Sequence, residues 1–192
     1  MVSAPPFYTG DEFAKEFADG FGQFVPLPRS SGEIHDHKTE YTSAVRKILH
    51  ELAVRRGAVA QDEVRILTGP CRGRFYDQVW SSRGTQILAI ESEWLYKVGD
   101  QLSDCEKLFY AGCPFRIIIH RAQNDKLIHA IQDRLSDIAP TGKEEYWIFV
   151  LGRELNMCVL RRDLGSPRKG RISSHHSFQW RDHGRSRTDR RT

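Results

Sequence analysis

Arg74-Phe75-Tyr76-Asp77-Gln78-Val79-Trp80, then Ser81-Ser82-Arg83-Gly84, then Thr85-Gln86-Ile87-Leu88-Ala89-Ile90-Glu91-Ser92-Glu93-Trp94, is the stretch on which the fold turns. Two runs of β-branched, aromatic and aliphatic residues flank a polar break carrying a glycine, the pattern of an antiparallel hairpin. Side chains alternate along a strand, so Phe75, Asp77 and Val79 share one face, and Ile87, Ala89, Glu91 and Glu93 share one face of the partner. A three-residue loop at Arg83-Gly84-Thr85 sets Asp77 opposite Glu91, with Cβ atoms roughly 5 Å apart. Carboxylates that close, partly desolvated, either share a proton or hold a cation. Hard oxygen ligands on a rigid sheet suit Mg²⁺, which keeps its waters and takes few carboxylates. The competing reading is a half-exposed hairpin whose acids face solvent.

The surrounding chain has 192 residues, 39% of them hydrophobic and 28% charged, enough for one sizeable core. No apolar run is long enough to span a bilayer, and the first residues, Met-Val-Ser-Ala-Pro-Pro, lack the basic and apolar regions of a secretory signal. A cytoplasmic location is the expectation. Cys71, Cys105, Cys113 and Cys158 form no CxxC pair, which argues against a zinc site or a disulfide framework and for small buried apolar side chains. The formal net charge of +4 is unevenly spread, because residues 161–192 hold ten Lys/Arg against three Asp. The body is therefore mildly acidic and the tail strongly basic.

Upstream of the hairpin, residues 1–38 carry Pro5, Pro6, Pro26 and Pro28. They read as a loosely packed arm with a short amphipathic helix near Asp11–Ala18. His35-Asp36-His37 reads as solvated rather than metal-ligating. From Thr39 to Arg56, Tyr41, Ala44, Val45, Ile48, Leu49, Leu52 and Ala53 recur at helical spacing, with Thr39 as N-cap and Gly57 as the stop. Glu40 and Glu51 flank that stripe and read as helix-surface charges. Glu63–Thr68 alternates as a strand.

Downstream, a helix is expected from about Leu102 to Gly112, capped by Ser103. Phe115–His120 reads as a buried strand. A helix then opens at Asn124 or Asp125 and runs to Pro140, and Tyr146–Leu151 with Met157–Leu160 forms a second hairpin. Beyond Arg162 the apolar pattern dissolves into Ser, Arg, His and Gly, and residues 163–192 are expected to be disordered. Such a basic tail either adds sequence-independent attraction to phosphates or serves as a passive solubilising end. The domain organisation expected is thus an arm (1–38), an α/β domain (39–162) and a basic tail (163–192).

The element order, helix, three strands, helix, strand, then a helix and a hairpin, implies a mixed central sheet with flanking helices. With Asp77 on the second strand and Glu91-Ser92-Glu93 ending the third, residues 39–120 resemble the PD-(D/E)XK nuclease superfamily, the restriction-endonuclease-like fold with an αβββαβ core. The resemblance implies a metal-dependent nuclease that hydrolyses phosphodiester bonds in DNA, or RNA, with Mg²⁺ or Mn²⁺ on Asp77 and Glu91. Glu93 stands where the family has a lysine, and would be a further ligand or orient water. Some branches take the basic group from the next helix, and here that helix offers Lys107. On a helical wheel, however, Lys107 falls nearly opposite the stripe of Cys105, Leu108, Phe109 and Gly112. Arg72, Arg74 and Arg83 flank the hairpin as candidate contacts to a nucleic-acid backbone. A homodimer is the expected assembly where there is one. The other function class is a protein that keeps the nuclease fold without turnover and serves nucleic-acid binding or assembly, and an interaction module unrelated to nucleic acid stands third.

Overall fold

A computed structural model describes residues 9–21, 23–24, 37–67, 71–94, 98–121, 130, 145–151, 155–162 and 170–178 of the chain. The elements are α1 (Gly10–Phe21), α2 (Lys38–Arg55), β1 (Val59–Arg65), β2 (Phe75–Ser82), β3 (Thr85–Glu93), α3 (Val98–Phe109), β4 (Phe115–Arg121), β5 (Glu145–Leu151), β6 (Leu155–Arg162) and β7 (Gly170–Phe178). The seven strands form one mixed sheet in chain order. β1, β2 and β3 run antiparallel in turn, β3, β4 and β5 are parallel, and β5, β6 and β7 are antiparallel again. The expected αβββαβ order is present, with α3 joining the parallel pair β3 and β4 as such a connection requires. Of the helix expected at 124–140, only Ala130 is among the described residues, and it is helical.

The register decides which side chains share a face. Leu88 and Ile90 of β3, Trp80 of β2, and Ile117 and Ile119 of β4 fall on the face covered by α1 and α2, where they join Phe13, Phe17, Phe21, Tyr41, Ile48 and Leu52 in one buried cluster. Val79, Ala89, Glu91, Arg116 and Ile118 fall on the other face, under α3.

The β2–β3 turn differs from the expected three-residue loop. Ser82 pairs with Thr85 across Arg83-Gly84, both with positive φ (52° and 78°), the geometry of a two-residue hairpin turn. A bulge then leaves Ile87 unpaired between Ser81↔Gln86 and Trp80↔Leu88. The bulge restores the register expected for the inner part of the hairpin and removes Ile87 from the alternation that Ala89 and Glu91 obey.

The N-terminal segment is more than an arm. Thr9 and Glu12 make a reciprocal capping box: the Glu12 amide donates to Thr9 Oγ1 at 3.2 Å, and the Thr9 amide donates to Glu12 Oε2 at 3.1 Å. Phe13, Phe17 and Phe21, one helical turn apart, are fully buried, and Phe13 packs its ring 5.6 Å from both Trp80 and Trp147. Three large aromatics at that spacing make α1 part of the core.

Several boundaries also shift. α2 starts at Lys38 with His37, not the expected Thr39, in the N-cap position, and closes as expected at Gly57 (φ 67°), where the Ala58 amide donates to Ala53 O (2.9 Å) and the Gly57 amide to Val54 O (3.0 Å). β1 starts four residues before the expected Glu63, because Val59 and Ala60 already pair with Ser81 and Trp80. The stretch expected to be disordered contains β7, whose Gly170–Phe178 backbone pairs along β6. Backbone pairing to an available sheet edge does not need a continuous apolar face, which is why composition alone misses it.

Candidate functional site

Regular pairing fails around Asp77 on both sides of β2. The β1–β2 ladder passes from Asp62↔Gln78 to Val64↔Tyr76, omitting Glu63 and Asp77, and Glu63 has a positive φ of 53°. The β2–β3 ladder ends at Gln78↔Ile90, one step short of the Asp77–Glu91 pair. In place of a ladder bond, Asp77 Oδ2 accepts hydrogen bonds from the Ser92 amide (2.7 Å) and the Ser92 hydroxyl (2.8 Å). A non-glycine residue at positive φ beside such an interruption is local strain of the kind that collects at functional positions.

Glu91 lies on the α3 side of β3 and is only 1% exposed. Opposite it, Lys107 projects from α3 toward the sheet and is 7% exposed. An ammonium has three hydrogens to donate, and all three find acceptors: Glu91 Oε2 at 2.6 Å, Asp104 Oδ1 at 2.9 Å and Phe75 O at 3.2 Å. The helical-wheel expectation that Lys107 points away from the sheet is therefore overturned. Cys105 and Leu108 are buried beside it, so the buried arc of α3 is wide enough to include position 107. The long aliphatic stem lets the charge reach an acceptor cluster below the helix.

Electrostatics at the pair follow from burial and from who is nearby. Burial first, and then the charge of Asp77, push the Glu91 carboxyl up to about 9, against the opposing pull of Lys107. For Lys107, burial works against the charge but is outweighed by Glu91 and Asp104, so its pKa is raised. These two effects compete, since a protonated Glu91 does little to hold an ammonium. Asp104 supplies Lys107 with a second countercharge, while burial and the charge of Asp77 push the Glu91 carboxyl above the usual carboxylate range. Glu91 Oε1 is buried and has no hydrogen-bond partner among the described residues. The Tyr76 hydroxyl donates to Lys107 O (3.2 Å), and burial raises its pKa to about 12.

The residues expected at the site divide clearly. Asp77, Glu91 and Lys107 come together at one end of the β2–β3 hairpin. Glu93 is half-buried in register with His120, and among the described residues no three His, Cys, Asp or Glu side chains converge as a metal cage. Arg74 is tied to α3, donating to Ser103 Oγ at 2.8 Å and lying 3.8 Å from Asp104. Arg72 is exposed in the turn before β2. Arg83 sits at the tip of the hairpin, roughly 20 Å along the strand from Glu91 at about 3.3 Å per residue. Glu40 is exposed, and Glu51 pairs with Arg55 at 3.3 Å.

Sequence reasoning missed Ser92, Asp104 and Arg116. Arg116 is 1% exposed on the same face, and its guanidinium donates to Ala111 O. Its only signal was parity: in Phe115-Arg-Ile-Ile-Ile-His120, positions 116, 118 and 120 share a face with Glu91.

A divalent cation is compatible with this donor set. Two hard carboxylates, one with an unsatisfied buried oxygen, match the one or two carboxylates that Mg²⁺ takes alongside its waters. Comparison with protein-family models, with characterised proteins and with solved structures returned no match. Among the described residues no helix is long and apolar enough to cross a membrane.

Proposed function

We propose that the chain is a divergent metal-dependent nuclease of the PD-(D/E)XK type, acting on DNA or RNA, with Asp77 and Glu91 as metal ligands and Lys107 as the basic group delivered from the helix after the third strand. The observation that carries this reading is the 2.6 Å contact of Lys107 Nζ with Glu91 Oε2 at the irregular end of the hairpin. The αβββαβ order supports it, as does the interrupted ladder at Asp77.

A bound Mg²⁺ or Mn²⁺ supplies an acidified water and offsets charge on the scissile phosphate. The chain's own groups do the rest. Asp77 offers a carboxylate already oriented by two donors from Ser92. Glu91 would hold the metal as its carboxylate, through the unsatisfied Oε1, with its proton passing to solvent as the cation takes its place. Lys107, held by Asp104, supplies positive charge near the phosphate. Glu93 orients water from the rim, and Arg72 adds a backbone contact. The protein acts in the cytoplasm on nucleic acid, as a monomer or homodimer.

A second reading is a nuclease-fold protein without turnover, used for binding or assembly. It is favoured by the absence of a lysine at position 93 and by the commitment of Asp77 to Ser92 and of Glu91 to Lys107. Incubation with plasmid and single-stranded substrates in Mg²⁺, Mn²⁺ or chelator separates the two, combined with thermal melts of wild type and Asp77→Asn. The nuclease reading expects metal-dependent cleavage and a metal-induced rise in Tm, both lost in Asp77→Asn. Equal metal shifts in the two proteins would remove Asp77 from the site, and no cleavage with no shift would leave the binding protein.

A further inference from the structure

On the opposite face of the sheet from Glu91 and Lys107, α2 borders a cleft of about 740 Å³. We propose that this cleft binds a phosphate-bearing ligand of mononucleotide size, with His50 as an oriented contact to the phosphate. The inference does not depend on nuclease activity, because the Glu91 site lies under α3 on the other side of β3.

The cleft is lined by Lys38, Arg46, Lys47 and His50 of α2, together with Phe24 and with Asp62 of β1. Its volume falls within the range of small-molecule pockets. Three cationic side chains face two acids, and both acids are engaged: Glu51 with Arg55 at 3.3 Å, and Asp62 with His50. Arg46 reaches Glu63 at 3.4 Å, a long contact between partly exposed groups that a phosphate can replace with charge-assisted bonds. The Lys47 ammonium lies over the Phe24 ring, 6.0 Å from its centre, so a cation–π contact holds this charge beside the cleft.

What distinguishes the cleft from an ordinary basic helix surface is the support behind His50. Trp80 Nε1, which can only donate, gives its hydrogen to Gln78 Oε1 at 2.6 Å. That fixes the Gln78 amide, whose Nε2 donates to Asp62 Oδ1 at 2.7 Å. Asp62 then faces His50 Nε2 with both oxygens, at 3.2 and 3.1 Å. Hydrogen bonds from Gln78 and His50 hold the Asp62 carboxyl below its usual range despite the opposing effect of partial burial. Gln78 is 1% exposed and Trp80 fully buried, so a polar chain crosses the hydrophobic face of the sheet to orient one half-exposed imidazole. With Nε2–H committed to Asp62, Nδ1 is the atom left to the cleft, and its protonated form donates to a phosphate oxygen.

The test is calorimetric titration of the full chain in EDTA with inorganic pyrophosphate, with an adenosine triphosphate and with a short single-stranded oligonucleotide. The expected result is saturable binding of the mononucleotide, weakened at least tenfold in the Arg46→Ala/Lys47→Ala double variant and in His50→Ala. It should weaken severalfold in Asp62→Asn, which keeps every cation of the wall. Glu91→Gln should bind as wild type does, which separates this site from the nuclease site. All the substituted cleft residues are at least partly exposed, and melting curves verify folding. No binding of the mononucleotide, binding undiminished in the cleft variants, or binding of the oligonucleotide alone would each overturn the proposal.

Discussion

At the scale of single residues, Glu91 and Lys107 define what is unusual about this chain. The folded state holds the Glu91 proton up to about 9, whereas an unfolded glutamate releases it near 4.5. Between those values the native state binds more protons than the unfolded one. The Glu91 contribution to stability is therefore complete below the ordinary glutamate range and is lost as pH rises toward about 9. The expected outcome is a wild-type Tm that falls from pH 5 to pH 9, with a shallower fall in Glu91→Gln, which mimics the protonated carboxyl. Parallel slopes in melts across that range would assign the pH dependence to other groups. Lys107→Met removes hydrogen bonds to Glu91, Asp104 and Phe75, so it should cost about 1–3 kcal/mol by denaturant melting as well as any cleavage. A surface lysine would change stability by less than about 0.5 kcal/mol, which makes the stability readout independent of enzymology.

At the scale of elements, α1 and the central hairpin carry the clearest expectations. Phe17 is fully buried and stacks 5.4 Å from Phe21, so Phe17→Ala should cost about 3–5 kcal/mol by urea titration, as a core aromatic does. A loss below 1 kcal/mol would return α1 to the status of a loose arm. Arg83 occupies the left-handed region with φ 52° ahead of Gly84, a conformation that Asn tolerates far better than Arg. Arg83→Asn should therefore stabilise the protein by up to about 1 kcal/mol by urea titration.

For the whole molecule, the order of strands in one seven-stranded sheet makes the C-terminal third a structural participant. Ending the chain at residue 162 removes β7 and bares the edge of β6, while ending it at 178 keeps β7 on that edge. The shorter form should melt earlier and self-associate, because an unpaired edge templates pairing with another chain. Sedimentation and melting of the two truncations decide this, and identical behaviour would mean that β7 contributes nothing to the sheet.

Local pattern by itself determined the existence and type of most described elements: the α2 stripe from Tyr41 to Ala53, the Gly57 stop, the β2–β3 hairpin and the buried strand at 115–120. Periodicity reports which face a residue takes within its own element, and that information is local. It also placed Asp77 and Glu91 at one end of the hairpin. Tertiary structure alone decided the rest. Whether Lys107 is buried depends on how α3 rotates over β3 and on Asp104 and Phe75 O waiting beneath it, and no wheel drawn on one helix contains those acceptors. The turn at Arg83-Gly84 and the bulge at Ile87 offset one another, so the inner register came out as expected through a different local geometry. Asp77 turned toward Ser92, and the chain from Trp80 through Gln78 and Asp62 to His50 joins three elements. Such contacts are set by register and helix placement, which follow from the packing of the whole core rather than from any one segment.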